Sequence, residues 1–252
     1  MQATSSYLVL STPRSGSTLL CRALESTDLA GHPKEYFSPE GKRWSRESAT
    51  TAPSDYVASL LAKRATPNGV FGAKISWRQL LLFERACRRE PRYRETPLPD
   101  ILSDLFPSLR YLRITRRDKV RQAISYWKAL QTGVWGKAAA ADGSGSASAE
   151  FDYDALSDLV RLLQEHEAGI DGFVSRSNLS PFTIVYEDLV DSYRETVTAA
   201  LAHLGIDVPS GLVLPEPRTA RLADDETEAW VGQYARIARE RAHSADPSGV
   251  GV

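Results

Sequence analysis

The sequence predicts an α/β fold, a central parallel sheet flanked by helices and built on a phosphate-loop plan. Three observations carry this. Four short apolar runs, Tyr7–Leu10, Val70–Ile75, Leu109–Ile114 and Phe182–Tyr186, are continuous rather than alternating, as strands buried on both faces are. Helical periodicity fills the intervals between them, as βαβ crossovers require. The first run ends in a turn of small residues that opens a helix, an arrangement suited to binding an anion.

The elements follow in order. After Tyr7–Leu10 comes a helix over Ser17–Ser26, and helices over Asp55–Arg64 and Trp77–Arg89 flank the second strand. Asp118–Gln131 follows the third strand, with Val120, Ala123, Ile124 and Trp127 on one face. Tyr153–Val174 is a long helix, Ser192–Leu204 follows the fourth strand and Glu226–Arg241 closes the fold. Ser38–Pro53 and Gly211–Asp225 read as loops, and Gly136–Ala149, rich in small polar residues, as a flexible insertion. There is no internal repeat. The expectation is one domain over residues 1–242, with the insertion at about 136–149 and a disordered tail over 243–252.

Composition narrows the function. The chain has 252 residues, 42% apolar and 25% charged, which excludes global disorder. Lys and Arg total 31 against 32 Asp and Glu, a net charge of −1, which argues against a general polyanion-coating role. Six basic residues crowd Arg110–Arg121, but without interleaved aromatics they do not read as a nucleic-acid surface. Cys21 and Cys87 make no disulfide framework, and no Cys/His spacing calls for a metal. The N-terminus has no basic leader and too short an apolar run for a signal or span, so a cytoplasmic protein is expected.

Two segments carry the chemistry. In Pro13-Arg14-Ser15-Gly16-Ser17-Thr18-Leu19-Leu20, Gly16 lets the backbone approach an anion, and the next N–H groups open a helix whose dipole favours negative charge. Ser15, Ser17 and Thr18 add hydroxyl donors and Arg14 a planar cation. The lysine of the nucleoside-triphosphatase loop is missing, so a single phosphate suits the turn better than a magnesium triphosphate. In the second segment, Arg116 and Arg117 stand at a strand's carboxyl end, where open α/β sheets bind ligands, and Ser125 lies two turns on. Glu187 and Asp188, after the fourth strand, read as a turn and helix cap.

Together these segments resemble the sulfotransferases that use 3′-phosphoadenosine-5′-phosphosulfate (PAPS). They are closest to the bacterial Stf0-type branch. The likeness extends to His32-Pro33-Lys34-Glu35-Tyr36-Phe37, Thr66–Trp77, Gln122–Trp135, and Arg221 followed by Glu228–Val231. It implies the phosphate-loop-like sulfotransferase fold and transfer of a sulfuryl group from PAPS to a hydroxyl of a sugar, glycolipid or related small molecule, leaving 3′-phosphoadenosine-5′-phosphate (PAP). A trehalose-like sugar leads, and no metal is needed. By the resemblance Glu35 is the general base, with Arg14 and Lys74 as further catalytic groups. Arg14, Ser15, Gly16, Ser17 and Thr18 hold the 5′-phosphosulfate. Ser125 and either Arg116 or Arg117 hold the 3′-phosphate, with Arg221 reaching the same group. His32, Glu35, Tyr36, Phe37 and Trp77 face the acceptor. His32 is a departure, because the trehalose-specific pattern carries a glutamate there. The resemblance also implies a homodimer. The competing readings are a phosphate-loop kinase using ATP·Mg and a non-catalytic nucleotide-binding protein.

Overall fold

The computed structural model describes residues 3–38, 44, 51–135, 148–215 and 225–245. Most of the insertion, most of the Ser38–Pro53 loop, Arg221 and the end of the tail lie outside them.

Four strands form one sheet: β1 (Ser5–Ser11), β2 (Val70–Ser76), β3 (Leu109–Thr115) and β4 (Phe182–Val185), in the order β2-β1-β3-β4. All pairings are parallel, with Ser11 opposite Ser76 and Ile114, and Val185 opposite Thr115. The chain steps from β1 to β2 on one side, then crosses to β3 on the other. That reversal puts a topological switch point at the carboxyl end of β1.

The strand pleat sorts side chains into two cores. Leu8 and Leu10 of β1, with Phe71, Ala73 and Ile75 of β2, fall on one face. There they meet α2 (Pro53–Arg64), α3 (Trp77–Cys87) and α4 (Leu98–Leu105), through residues such as Leu60, Phe83 and Leu102. Tyr7 and Val9, with Leu112, Ile114 and Ile184, fall on the other face. They meet α1 (Ser17–Glu25) and a later helix, α8 (Tyr193–His203). This is why the β1 run is apolar on both faces, while β2 carries Lys74 only near its carboxyl end and β3 places Arg110 in solvent and Arg113 at a half-buried position.

The chain divides into two compact units, residues 1–117 with 165–217, and residues 118–164 with 218–252. The first holds the sheet. In the second, α5 (Lys119–Thr132), the first half of α6 (Tyr153–Arg176) and α9 (Asp225–Ala245) gather around Ile124, Leu156, Leu163 and Trp230. Arg121 bonds both Asp118 and Glu228 there. Lys128 pairs with Glu226 at 2.5 Å and lies over the Trp230 ring. Among the described residues, no helix is long and apolar enough to cross a membrane.

Two elements differ from the sequence reading. The interval between Arg89 and Leu109 was not expected to be helical, yet it contains α4. Pro99 in its first turn forfeits no helical hydrogen bond, Asp100 suits the helix dipole, and Leu98, Ile101, Leu102 and Leu105 bury one stripe. Tyr186, expected to end the fourth strand, instead begins α7 (Tyr186–Asp191). Glu187 and Asp188, expected as a turn and cap, are that helix's acidic first turn.

Candidate active site

The site is built at the carboxyl ends of β1, β2 and β3. Beyond Ser11 the backbone turns left-handed at Arg14 (φ 62°) and again at Gly16 (φ 91°). A chain that turns this way twice in three residues offers N–H groups to one concavity. Gly16 is the N-cap of α1 with no side chain capping it, and within the first turn the Leu19 N–H returns to the Gly16 carbonyl at 2.9 Å. The Ser15 hydroxyl is fully buried and has no hydrogen-bond partner among the described residues. A buried polar group of this kind costs free energy unless a ligand meets it.

Gly16 is required on two counts. Its left-handed φ disfavours any Cβ, and a Cβ there would run into the Tyr186 ring. Gly16→Ala should lower stability by about 1–2 kcal/mol from backbone strain alone. It should also weaken PAP binding, because the loop must move. Thermal unfolding with and without PAP checks both effects, and an alanine variant with wild-type PAP affinity would remove the loop from the site.

Arg14 and Arg116 are neighbours. Arg116 Nη1 donates to the Arg14 carbonyl at 3.5 Å, and its guanidinium lies 4.7 Å from the Tyr186 ring centroid. Burial, then the charge of Arg116, hold the Arg14 guanidinium below its ordinary pKa. A guanidinium whose charged form is disfavoured by burial and by a second cation is stabilised by an anion beside it. Arg117 is turned elsewhere. Its guanidinium grips both Asp188 oxygens at 2.6 and 2.7 Å, and its N–H donates to Glu187 at 3.0 Å. Tyr186, which sequence reasoning missed, is therefore both the packing surface of Gly16 and the platform under Arg116. The parallel register of Val185 with Thr115 places it beside Arg116, but only once the strand order is known.

Glu35 is brought in by β2. Its segment runs along that strand, with Lys34 bridged to Ala73 and the Lys74 N–H donating to the Lys34 carbonyl at 3.0 Å. Lys74 Nζ then reaches Glu35 Oε1 at 2.9 Å and Thr18 Oγ1 at 3.2 Å. The Lys74 side chain is only 12% exposed, whereas Glu35 is 47% exposed, so the lysine is enclosed and the carboxylate is open to an incoming molecule. The buried Cys21 thiol lies in the same field. Burial pushes it up to about 12 against the pull of Lys74, which leaves it un-ionised and no nucleophile at neutral pH.

The aromatic residues divide. Phe37 is 1% exposed and packed among Trp44, Tyr56, Phe83 and Phe106, so its ring belongs to the core and not to an acceptor wall. Tyr36 is half-buried, stacks on Phe71 and donates its hydroxyl to the His32 carbonyl at 2.5 Å. Trp77 opens α3 behind a capping box of Ser76 and Gln79, and its indole packs against Gly169, where a Cβ would not fit. Ser17 is buried at the start of α1, and Ser125 lies on α5 in the second unit.

The chain is 30% identical to trehalose 2-sulfotransferase of Mycolicibacterium smegmatis, over 92% of this chain and 95% of that one. It is 28% identical to trehalose 2-sulfotransferase of Mycobacterium tuberculosis, over 90% and 93%. A sulfotransferase from Alicyclobacillus acidocaldarius has the same fold at 14% identity, with a TM-score of 0.50 and 95% of each chain covered. The model of the Stf0 sulphotransferase family matches residues 6–237, all but the two ends, and the chain is a sulfotransferase of that family.

Proposed function

We propose that the enzyme transfers a sulfuryl group from PAPS to a hydroxyl of a sugar, with Glu35 as general base. The observation that supports this best is the chain Thr18–Lys74–Glu35, which sets an open carboxylate two hydrogen bonds from the anion loop. PAPS is the donor general to the family, and the residues present fit a nucleotide with two separate anionic groups. The loop supplies a buried, unpartnered Ser15 hydroxyl and a close backbone approach at Gly16, and Arg14 and Arg116 supply adjacent cations.

In the proposed step Glu35 accepts the proton of the acceptor hydroxyl as that oxygen bonds sulfur in line and the bond from sulfur to the phosphate oxygen breaks. Arg14, Lys74 and the first-turn amides of α1 face the charge that grows on the departing phosphate, an oxyanion-type contribution. Ser15, Ser17 and Thr18 hold the 5′ end of the donor. Arg116 reads the 3′-phosphate, since Arg117 is committed to Asp188. Trehalose, the acceptor named for the two mycobacterial relatives, is the first sugar to test.

The test is a screen with sulfur-labelled PAPS against disaccharides, glycolipids and small natural-product hydroxyls. Label appearing on a sugar hydroxyl, with stoichiometric PAP, is the expected result. Phosphoryl transfer from ATP·Mg, or PAP binding without transfer to any acceptor, would overturn the reading.

A further inference from the structure

The structure builds a second polar pair into the segment that leads to Glu35. Glu25, the last residue of α1, accepts from His32 Nδ1 and from Lys34 Nζ, both at 3.2 Å. Thr18 and Glu25 stand seven residues apart, two turns along one helix face. Through Lys74, Thr18 ties down Glu35, and Glu25 holds the His32 ring, with the more exposed Lys34 ammonium a second and weaker partner. The backbone of this segment is also held, by Tyr36 on the His32 carbonyl and by Lys34 on β2. At Gly31 a Cβ would crowd the β2 backbone, so the chain enters the segment pressed against the sheet.

The chemistry of this pair is directional. An ionised carboxylate only accepts, so Nδ1 must carry the proton, and in the neutral ring Nε2 is left as an acceptor. Among the described residues Nδ1 is the ring nitrogen that has a hydrogen bond, and the His32 side chain is 38% exposed. Nε2 is therefore the remaining acceptor of a partly exposed ring, three residues from the proposed base.

We propose that Glu25 is a positioning residue that fixes the tautomer of His32, so that Nε2 accepts a hydrogen bond from a second hydroxyl of the acceptor. The enzyme then favours polyols over simple alcohols. The inference rests on the reading of Glu35 as the group that meets the acceptor.

The test combines the His32 nitrogen resonances of the full-length, ¹⁵N-histidine-labelled enzyme at pH 8, assigned with His32→Gln, with kinetics on trehalose as varied acceptor. The wild type, with no acceptor present, should show the Nδ1–H tautomer. Glu25→Ala should lose that preference, and Glu25→Gln, whose amide oxygen still accepts, should keep it. Glu25→Ala should raise the trehalose KM about 5- to 10-fold, the effect of one hydrogen bond, with kcat and the PAPS KM within about twofold. Lys34→Met should change neither readout. A wild-type Nε2–H tautomer would overturn the proposal, as would a Glu25→Ala variant in which kcat and the PAPS KM shift along with the trehalose KM. A wild type that sulfates no sugar would count against the acceptor reading of the preceding section. The tautomer, read with no acceptor present, would still decide the role of Glu25.

Discussion

Glu35→Gln should lower kcat by about 10²–10⁴, the range that loss of a positioned base produces. Glutamine is the right probe because the change is close to isosteric. Its amide oxygen can still accept from Lys74 Nζ, so the contact that now spans 2.9 Å, and the Lys74–Thr18 bond behind it, stay in place. What disappears is the capacity to take a proton. PAP affinity, measured by calorimetry, should therefore stay within about twofold of wild type while turnover collapses, the pattern of an interaction made only in the transition state. Glu35→Ala is less informative, since it also leaves the enclosed Lys74 without its carboxylate. A glutamine variant with undiminished turnover would exclude Glu35 as the base.

The sequence made the scaffold legible and left the wiring dark, for a physical reason. A parallel strand buried on both faces must be apolar throughout, so Leu8, Val9 and Leu10 announce themselves without any neighbour being known. The loop was visible because a glycine between a buried strand and an amphipathic helix has few other uses. The contacts that turn these parts into a site depend on strand order. Lys74 reaches Thr18 because β2 lies next to β1, and Tyr186 reaches Gly16 and Arg116 because β4 lies next to β3. Local spacing carries none of this. Phe37 shows the converse limit. It sits two residues from Glu35 and its type suits an acceptor wall, yet the chain turns at Tyr36–Phe37 and the ring enters the aromatic core. Only the Stf0 resemblance lifted Glu35 above an ordinary loop acid, since its own sequence surroundings hold no signal of Lys74.

The choice between Arg116 and Arg117 yields the second large effect. Both follow β3, and in sequence Arg116 leads only by its likeness to the Stf0 branch, while Arg117 has the spacing of many other sulfotransferases. In the structure their environments are opposite. Arg117 is exposed and already satisfied by the two oxygens of Asp188, an ion pair of the kind that solvent screens. Arg116 is drawn inward over Tyr186, toward the backbone of the loop and close enough to Arg14 to depress its pKa. A guanidinium held in this way meets a phosphate with charge-assisted bonds, which typically contribute about 1.5–3 kcal/mol. Arg116→Ala should therefore raise the PAPS KM by about 10- to 100-fold. If Arg116 reads the 3′-phosphate, that loss should be absent with adenosine-5′-phosphosulfate, which lacks the group, so the preference between the two donors should narrow by the same factor. Arg116→Lys should recover only part of it, since a point charge cannot reproduce the planar fork stacked on Tyr186. Arg117→Ala should leave both donors unchanged. The reverse pattern, with Arg117→Ala abolishing the preference and Arg116→Ala preserving it, would require the Asp188 pair to open and would move the 3′-phosphate to the α7 side of the sheet.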